Sequence, residues 1–262
     1  MADTGQAFPG STGVTVLDVY DWVAPDGLPG GSAHVHLAST EGYVVLAGEG
    51  RLQTLGARGY AETALRPGDC LWFTPGTIHR LVNDGGLRLL VVMQNAGLPE
   101  HGDAVLTFPP DVLADPEAYA AAAALPALPA GADGAGADGA GAHVAGEHVA
   151  AAARRRAHLA IEGYLALRAA VADKGPEALE PFYAAALRLA GGHADDWRER
   201  WRAGALATAE LTGTHLDEIG ARVAGHLEAA ALWRIERPAQ ERAYGMCGRL
   251  TTYPAARATR AG

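Results

Sequence analysis

The chain has 262 residues, of which 49% are hydrophobic and 19% are charged, and its formal net charge at pH 7 is −9. This composition is typical of a globular protein and excludes a globally disordered chain. The acidic balance argues against a nucleic-acid binder, which needs a clustered basic face to neutralise phosphates. The N-terminus lacks a charged start followed by an apolar run, and no stretch reaches the ~18 apolar residues of a membrane span. We therefore expect a cytoplasmic protein with no nucleic-acid or membrane partner.

The first part of the chain has the pattern of a β-rich domain. From Val14 to Phe108, short apolar or alternating runs are separated by Gly, Pro, Asn and Asp about every ten residues. This spacing is typical of an antiparallel sandwich or barrel, and it predicts a β-barrel domain over residues 1–110. The next segment, residues 111–130, predicts a short helical connection in which Asp111 or Asp115 caps a helix.

The remainder of the chain is predicted to be helical after a linker. Residues 131–144 are dominated by the repeat GADGA, and glycine this dense costs too much backbone entropy to hold a fixed element. Helical periodicity follows over residues 145–237, and the tail at 238–262 has no clear period. The predicted fold class is therefore α+β, with a β-barrel, a flexible linker and a small all-α region over residues 145–262.

Three histidines and one glutamate in the predicted sheet have the spacing of a shared metal site. Side chains two residues apart on a strand point the same way, so His34 and His36 aim at one point. The short segment after His36 predicts a turn or bulge that returns Glu41 to the same side. His79 follows the turn residues 74–76, as a ligand at the start of another strand would. Three imidazoles and one carboxylate suit one divalent ion of iron, manganese, zinc, nickel, cobalt or copper.

These residues also form two motifs that resemble those of the cupin superfamily, between about Gly30 and Asn95. The first motif reads His34-x-His36, four residues, Glu41, six residues, Gly48, and the second reads Gly68, seven residues, Gly76-Thr77-Ile78-His79, three residues, Asn83. Two turn positions depart from the family pattern: Leu28 replaces an opening glycine, and the proline of the second motif is displaced to Pro75. All four ligand positions match.

The resemblance implies a jelly-roll barrel with a metal-bearing pocket, and it leaves the reaction open because this fold supports many chemistries. We favour an enzyme that acts on a small oxygenated metabolite, of dioxygenase, isomerase or epimerase, or lyase type. Tyr43, on the same face as the glutamate, is the candidate proton-handling or orienting group, and Trp72 and Gln94 are candidates for the pocket wall.

Two alternatives remain open at this stage. In the first, the barrel is a non-catalytic module that binds or senses a sugar or carboxylate, and the helices serve for dimerisation. In the second, the helices serve only to pack against the barrel or against a second copy of it. For the chain as a whole we expect a small-molecule ligand or substrate and a homodimer.

Overall fold

The computed structural model describes residues 7–126, 139–236 and 243–261, and it confirms the predicted α+β class. An antiparallel sheet comes first and a helical region follows. The strands are β1 (Gly13–Val19), β2 (His34–His36), β3 (Glu41–Gly56), β4 (Gly59–Leu65), β5 (Cys70–Phe73), β6 (Ile78–Met93), β7 (Ala104–Leu106), β8 (Leu232–Arg234), β9 (Ala243–Tyr244), β10 (Gly248–Thr252) and β11 (Thr259–Ala261). The helices are α1 (Pro110–Ala114), α2 (Pro116–Ala123), α3 (Gly139–Lys174), α4 (Glu180–Ala190), α5 (Ala194–Trp201), α6 (Ala207–Ala221) and α7 (Gly225–Glu228).

The two long strands β3 and β6 pair along their whole length, and the second partner of β3 changes along it. The first half of β3 also pairs with β5, whereas its second half pairs with β4. The change occurs at a bulge, where the register with β6 shifts between Val45 and Gly50. Gly48 lies in this bulge with φ +74°, and an added Cβ would lie 2.2 Å from Gly86 O. Only glycine fits such a left-handed, close-packed position, which accounts physically for the last residue of the first motif.

The strands do not close into a barrel, which corrects the predicted architecture in this respect. The hydrogen-bonded path runs β4-β3-β6-β1-β10-β9, with β2 joined to β6 and β7, and β5 joined to β3. Helix α3 contacts both end strands of that path, β4 and β9. The helix therefore lies against both ends of this strand path.

Two hydrophobic cores hold the structure together. The first is formed by residues of the sheet and its C-terminal strands, namely Leu17, Val19, Tyr43, Val45, Leu52, Leu65, Leu81, Leu87, Leu89, Val91 and Cys247. The second core lies between the sheet and the helices, where Ile161 and Tyr164 of α3 and Phe182 of α4 pack with Val35 and Phe108. The helices therefore bury one face of the sheet. In the described part of the chain, no helix is both long and apolar enough to cross a membrane.

The C-terminal part of the chain differs from the sequence prediction in two ways. Residues 139–144, assigned to the linker, belong to the start of α3, while residues 131–138 lie outside the described residues. The region 145–262 is also not helical throughout, because strands β8 to β11 follow the helices. In particular, β10 pairs antiparallel with β1 and so adds a C-terminal strand to the N-terminal sheet. A five-residue strand with mixed burial has too little periodicity to be identified from sequence.

The shared core leads us to expect that the N-terminal region does not fold alone. Deletion of residues 131–262 would expose the apolar side chains of Val35 and Phe108 and would remove β10, one of the two strand partners of β1. We expect the remaining fragment to aggregate, because large exposed apolar patches drive association. Solubility and size-exclusion chromatography, beside the full-length chain in the same buffer, measure this. A soluble fragment with cooperative unfolding would instead support the predicted boundary between two independent domains.

Candidate metal centre

The four side chains selected from the sequence meet inside the sheet. Strand β2 carries His34 and His36 at alternate positions, and His34 pairs across the ladder with His79 near the start of β6. Glu41 is the first residue of β3. One ligand atom from each of these four residues lies within 4.8 Å of the others, and all four residues are buried. The cluster is consistent with a metal ion.

Backbone carbonyls orient two of the imidazoles. His34 Nδ1 lies 3.1 Å from the carbonyl oxygen of Ser32, and His79 Nδ1 lies 3.1 Å from that of Thr77. A carbonyl oxygen only accepts hydrogen bonds, so each Nδ1 carries the proton and donates it. In the neutral ring this leaves the lone pair on Nε2, which is then the nitrogen available to a metal ion.

An aspartate outside both sequence motifs orients the third imidazole. Asp103 is fully buried, and its Oδ2 lies 3.2 Å from His36 Nδ1. Its Oδ1 accepts hydrogen bonds from the backbone N–H groups of Leu37 and Ala38. A carboxylate in this position fixes the ring and makes it a stronger metal ligand. Asp103 is 67 residues from His36, and only the pairing of β2 with β7 brings it close, so no local sequence signal marks it.

Two buried atoms of the cluster have no hydrogen-bond partner among the described residues. Glu41 Oε2 lies 3.1 Å from His79 Nε2 and 3.3 Å from His36 Nε2, yet neither Glu41 Oε2 nor His79 Nε2 is satisfied by a hydrogen bond. Two ligands that are each about 2.1 Å from one ion lie about 3.0 to 3.4 Å apart when they subtend about 90 to 110°. The spacing of these atoms therefore fits donors to a shared ion.

In the absence of an ion, the surroundings favour the charged form of Glu41 and His36 and the neutral form of His34. Burial disfavours a charged Glu41, but the neighbouring His79 and His36 hold the pKa of its carboxyl well below the usual value. Burial also disfavours a charged His36, but its contacts with Asp103 and Glu41 outweigh this and raise its pKa to about 9. Burial, reinforced by repulsion from the other two imidazoles, lowers the pKa of His34 well below the usual value. The protein groups alone therefore favour an ionised Glu41 beside a protonated His36.

A cysteine from the C-terminal tail completes the surroundings of His34. Cys247 Sγ lies 3.7 Å from the carbonyl oxygen of Ser32 and 3.9 Å from His34 Nδ1. The backbone N–H of Ser32 donates to the carbonyl oxygen of Met246 at 3.0 Å. Burial raises the pKa of the Cys247 thiol, so it remains protonated and acts as a small buried side chain. The tail thereby supports the segment that orients His34.

Tyr43 lies beside the cluster, as expected from its place on the glutamate's face of β3. It is 1% exposed, and its hydroxyl has no hydrogen-bond partner among the described residues. Burial and the nearby Glu41 carboxylate raise the pKa of Tyr43 well above the usual value. Its hydroxyl is therefore protonated at neutral pH and is suited to donate a hydrogen bond.

Trp72 and Gln94 do not join the cluster. Trp72 is 71% exposed, and together with Gln94 it lines a groove of about 490 Å³ on the outer surface of the sheet. The next residue of β5, Phe73, faces inward instead, and its ring centroid lies 4.3 Å from that of His79. Alternation along β5 therefore places Phe73, which the sequence analysis did not select, as the aromatic neighbour of the site.

Comparison with known proteins agrees with this geometry. Residues 22–93 match the family model described as Cupin domain, and they include all four residues of the cluster. The chain contains a cupin domain. No curated protein matches the sequence significantly.

Solved structures that resemble the cupin domain cover only part of this chain. They include a protein with a double-stranded beta-helix domain from Klebsiella pneumoniae (21% identity, 32% of this chain, 66% of that chain, TM-score 0.26). A predicted oxalate decarboxylase from Thermotoga maritima also matches (22% identity, 32% of this chain, 64% of that chain, TM-score 0.24). So does a cupin protein from Bacteroides fragilis (22% identity, 33% of this chain, 65% of that chain, TM-score 0.25). The chain spans just under two thirds of each. At these TM-scores the similarities carry no argument about activity.

Replacement of Asp103 tests how the cupin domain orients His36. Asp103→Asn keeps the size of the side chain but removes the charge that holds His36 Nδ1–H. We expect about a 10- to 100-fold lower affinity for a divalent metal ion, measured by competition with a chromophoric chelator. Asp69→Asn is the matched control, because Asp69 accepts a backbone hydrogen bond from Arg66 away from the cluster. Equal affinity in the two variants would show that Asp103 does not orient a ligand.

Proposed function

We propose that this chain is a metal-dependent cupin enzyme that acts on a small oxygenated metabolite. One divalent transition metal ion is bound by His34, His36, Glu41 and His79. The observation that supports this most directly is the convergence of the four buried ligand atoms, two of which have no hydrogen-bond partner among the described residues. Polar atoms buried without partners are costly, so a shared ion gives them a physical reason to be there.

The ion would polarise a substrate oxygen as a Lewis acid or, if it is iron or copper, would support dioxygen chemistry. The residues of the chain would hold the ion, orient its ligands and handle a proton. Glu41 supplies the negative charge that balances the ion, and the three Nδ1 hydrogen bonds keep the imidazoles in the ligating tautomer. Tyr43 holds a proton close to Glu41 and is the candidate donor to a substrate oxygen, while Phe73 limits the access of water. Dioxygenase, isomerase or epimerase, and lyase reactions are all compatible with this arrangement.

One observation favours a second candidate function. Each of the four cluster residues is at most 7% exposed, so a substrate has little open path to the ligands in this conformation. A non-catalytic module that binds or senses a small sugar or carboxylate needs less access than an enzyme with rapid turnover. The helical region would then serve for dimerisation.

Metal content is the first test of the proposal. In protein purified without chelators, we expect close to one divalent transition metal ion per chain by mass spectrometry. We expect His79→Ala to lose the ion, because it removes a ligand that is fully buried in the cluster. His101→Ala is the control, since the His101 imidazole bonds to the carbonyl oxygen of Gly97 and is not one of the four cluster residues. Metal content that is low in both wild type and His79→Ala, even after reconstitution, would refute the proposal.

A second experiment separates the enzyme from the binding module. Small oxygenated metabolites are screened by thermal shift, and each one that stabilises the metal-loaded protein is followed by product analysis. Ligand at about 100 times its Kd adds about 2.7 kcal/mol of stability, which raises Tm by about 5 to 10 °C in a chain of this size. For an enzyme we expect consumption of the ligand, and loss of turnover in Glu41→Gln with folding retained. Stabilisation without consumption would favour the binding module.

A further inference from the structure

The loop that precedes His79 is held from two sides. Residues 74–77 connect β5 to β6, and the carbonyl oxygen of Thr77 accepts the Nδ1 hydrogen bond of His79. On the sheet side, the backbone N–H of Gly76 donates to the carbonyl oxygen of His36 at 2.9 Å. On the helical side, the hydroxyl of Tyr183 donates to the carbonyl oxygen of Gly76 at 2.8 Å. Tyr183 lies on α4, 107 residues from Gly76.

We infer that Tyr183 is a positioning residue for the metal centre and that the helical region thereby acts on His79. The inference rests on the proposed function, because it concerns the ligand geometry of the same site. The peptide between Gly76 and Thr77 contains the carbonyl that Tyr183 holds, and the next peptide contains the carbonyl that holds His79. Fixing the first peptide anchors Thr77 on its N-terminal side, which limits where the Thr77 carbonyl that holds the His79 ring can lie.

The surroundings of the loop make the hydrogen bond from Tyr183 to Gly76 its main contact with α4. A cavity of about 650 Å³ lies between the loop and α4, lined by residues of the loop, by Glu177 and Glu180, and by Tyr183 itself. Packing against the helix is therefore loose beside the loop, and the Tyr183 side chain reaches across to Gly76. The contact is part-buried, and Tyr183 belongs to a helix anchored by the buried Phe182. A rigid helix thus supplies the fixed end of the contact.

Cobalt(II) binding to the full-length chain tests the inference, because the visible absorption of cobalt(II) reports the geometry of its ligands. Tyr183→Phe removes the hydroxyl and retains the ring. We expect about three- to tenfold weaker cobalt(II) affinity, somewhat below the range typical for residues bonded directly to a ligand. We also expect a changed absorption spectrum and an unchanged far-ultraviolet circular dichroism spectrum.

Arg188→Met is the matched control on the same helix. Arg188 donates to the carbonyl oxygen of Leu113 and so links α4 to α1 instead of to the loop. If both variants lower Tm equally and bind cobalt(II) with the same affinity and absorption spectrum as wild type, Tyr183 is only structural and the inference is wrong. If wild type itself binds no cobalt(II) or other divalent ion, the proposed function is wrong, and the inference that rests on it is wrong as well. Binding by wild type with unchanged behaviour in Tyr183→Phe refutes the inference alone.

Discussion

The buried negative charge of Glu41 is the constraint on which the rest of the site depends. Glu41 is 6% exposed, and burying an isolated carboxylate at such a position costs several kcal/mol in desolvation. Its pKa nevertheless stays well below the usual value, since the imidazoles of His79 and His36 lie within 3.3 Å of Oε2. The carboxylate is thus stable only beside positive charge, which either a protonated imidazole or a metal ion supplies. An ion would also give a partner to Glu41 Oε2 and His79 Nε2, two buried atoms that make no hydrogen bond among the described residues.

The orientation of the imidazoles depends on residues far from the ligands in sequence. The group that orients His36 is Asp103, while the carbonyls that orient His34 and His79 belong to segments held by the C-terminal half of the chain. Met246 accepts the N–H of Ser32, and Tyr183 donates to Gly76. The helical region and the tail are therefore part of the scaffold of the site. This gives them a role that a module used only for dimerisation would not need.

The sequence was sufficient for the features of the site that are encoded locally. Alternation along a strand predicted that His34 and His36 share a face, and the motif spacing selected Glu41 and His79. Asp103 and Cys247 were not predictable in the same way, because strand pairing over 67 and 213 residues brings them to the histidines. Such pairings leave no periodic pattern near either residue.

The fold was predictable to a similar extent. The turn spacing of the first part and the helical period of the second gave the α+β class, but neither showed that the sheet stays open. Closure depends on contacts between distant elements, and here α3 contacts β4 and β9 at the two ends of the strand path. The strand β10 and the inward direction of Phe73 were also missed. Both depend on register between strands, and register is set by partners that a single sequence does not identify.

The crossing of α3 over the sheet connects the packing of the helices to the position of His34. The hydroxyl of Thr107 donates to the carbonyl oxygen of Ala160 in α3 at 2.8 Å, and its backbone N–H donates to the carbonyl oxygen of Ala33 at 3.2 Å, so one residue joins the helix to the segment just before His34. Such a short bridge requires the helix to lie against the backbone. Gly163 permits this, since a Cβ there would lie 2.0 Å from the carbonyl oxygen of Thr107. A larger residue at this helix position would push α3 outward, and the displaced bridge would act on the strand that carries two of the ligands.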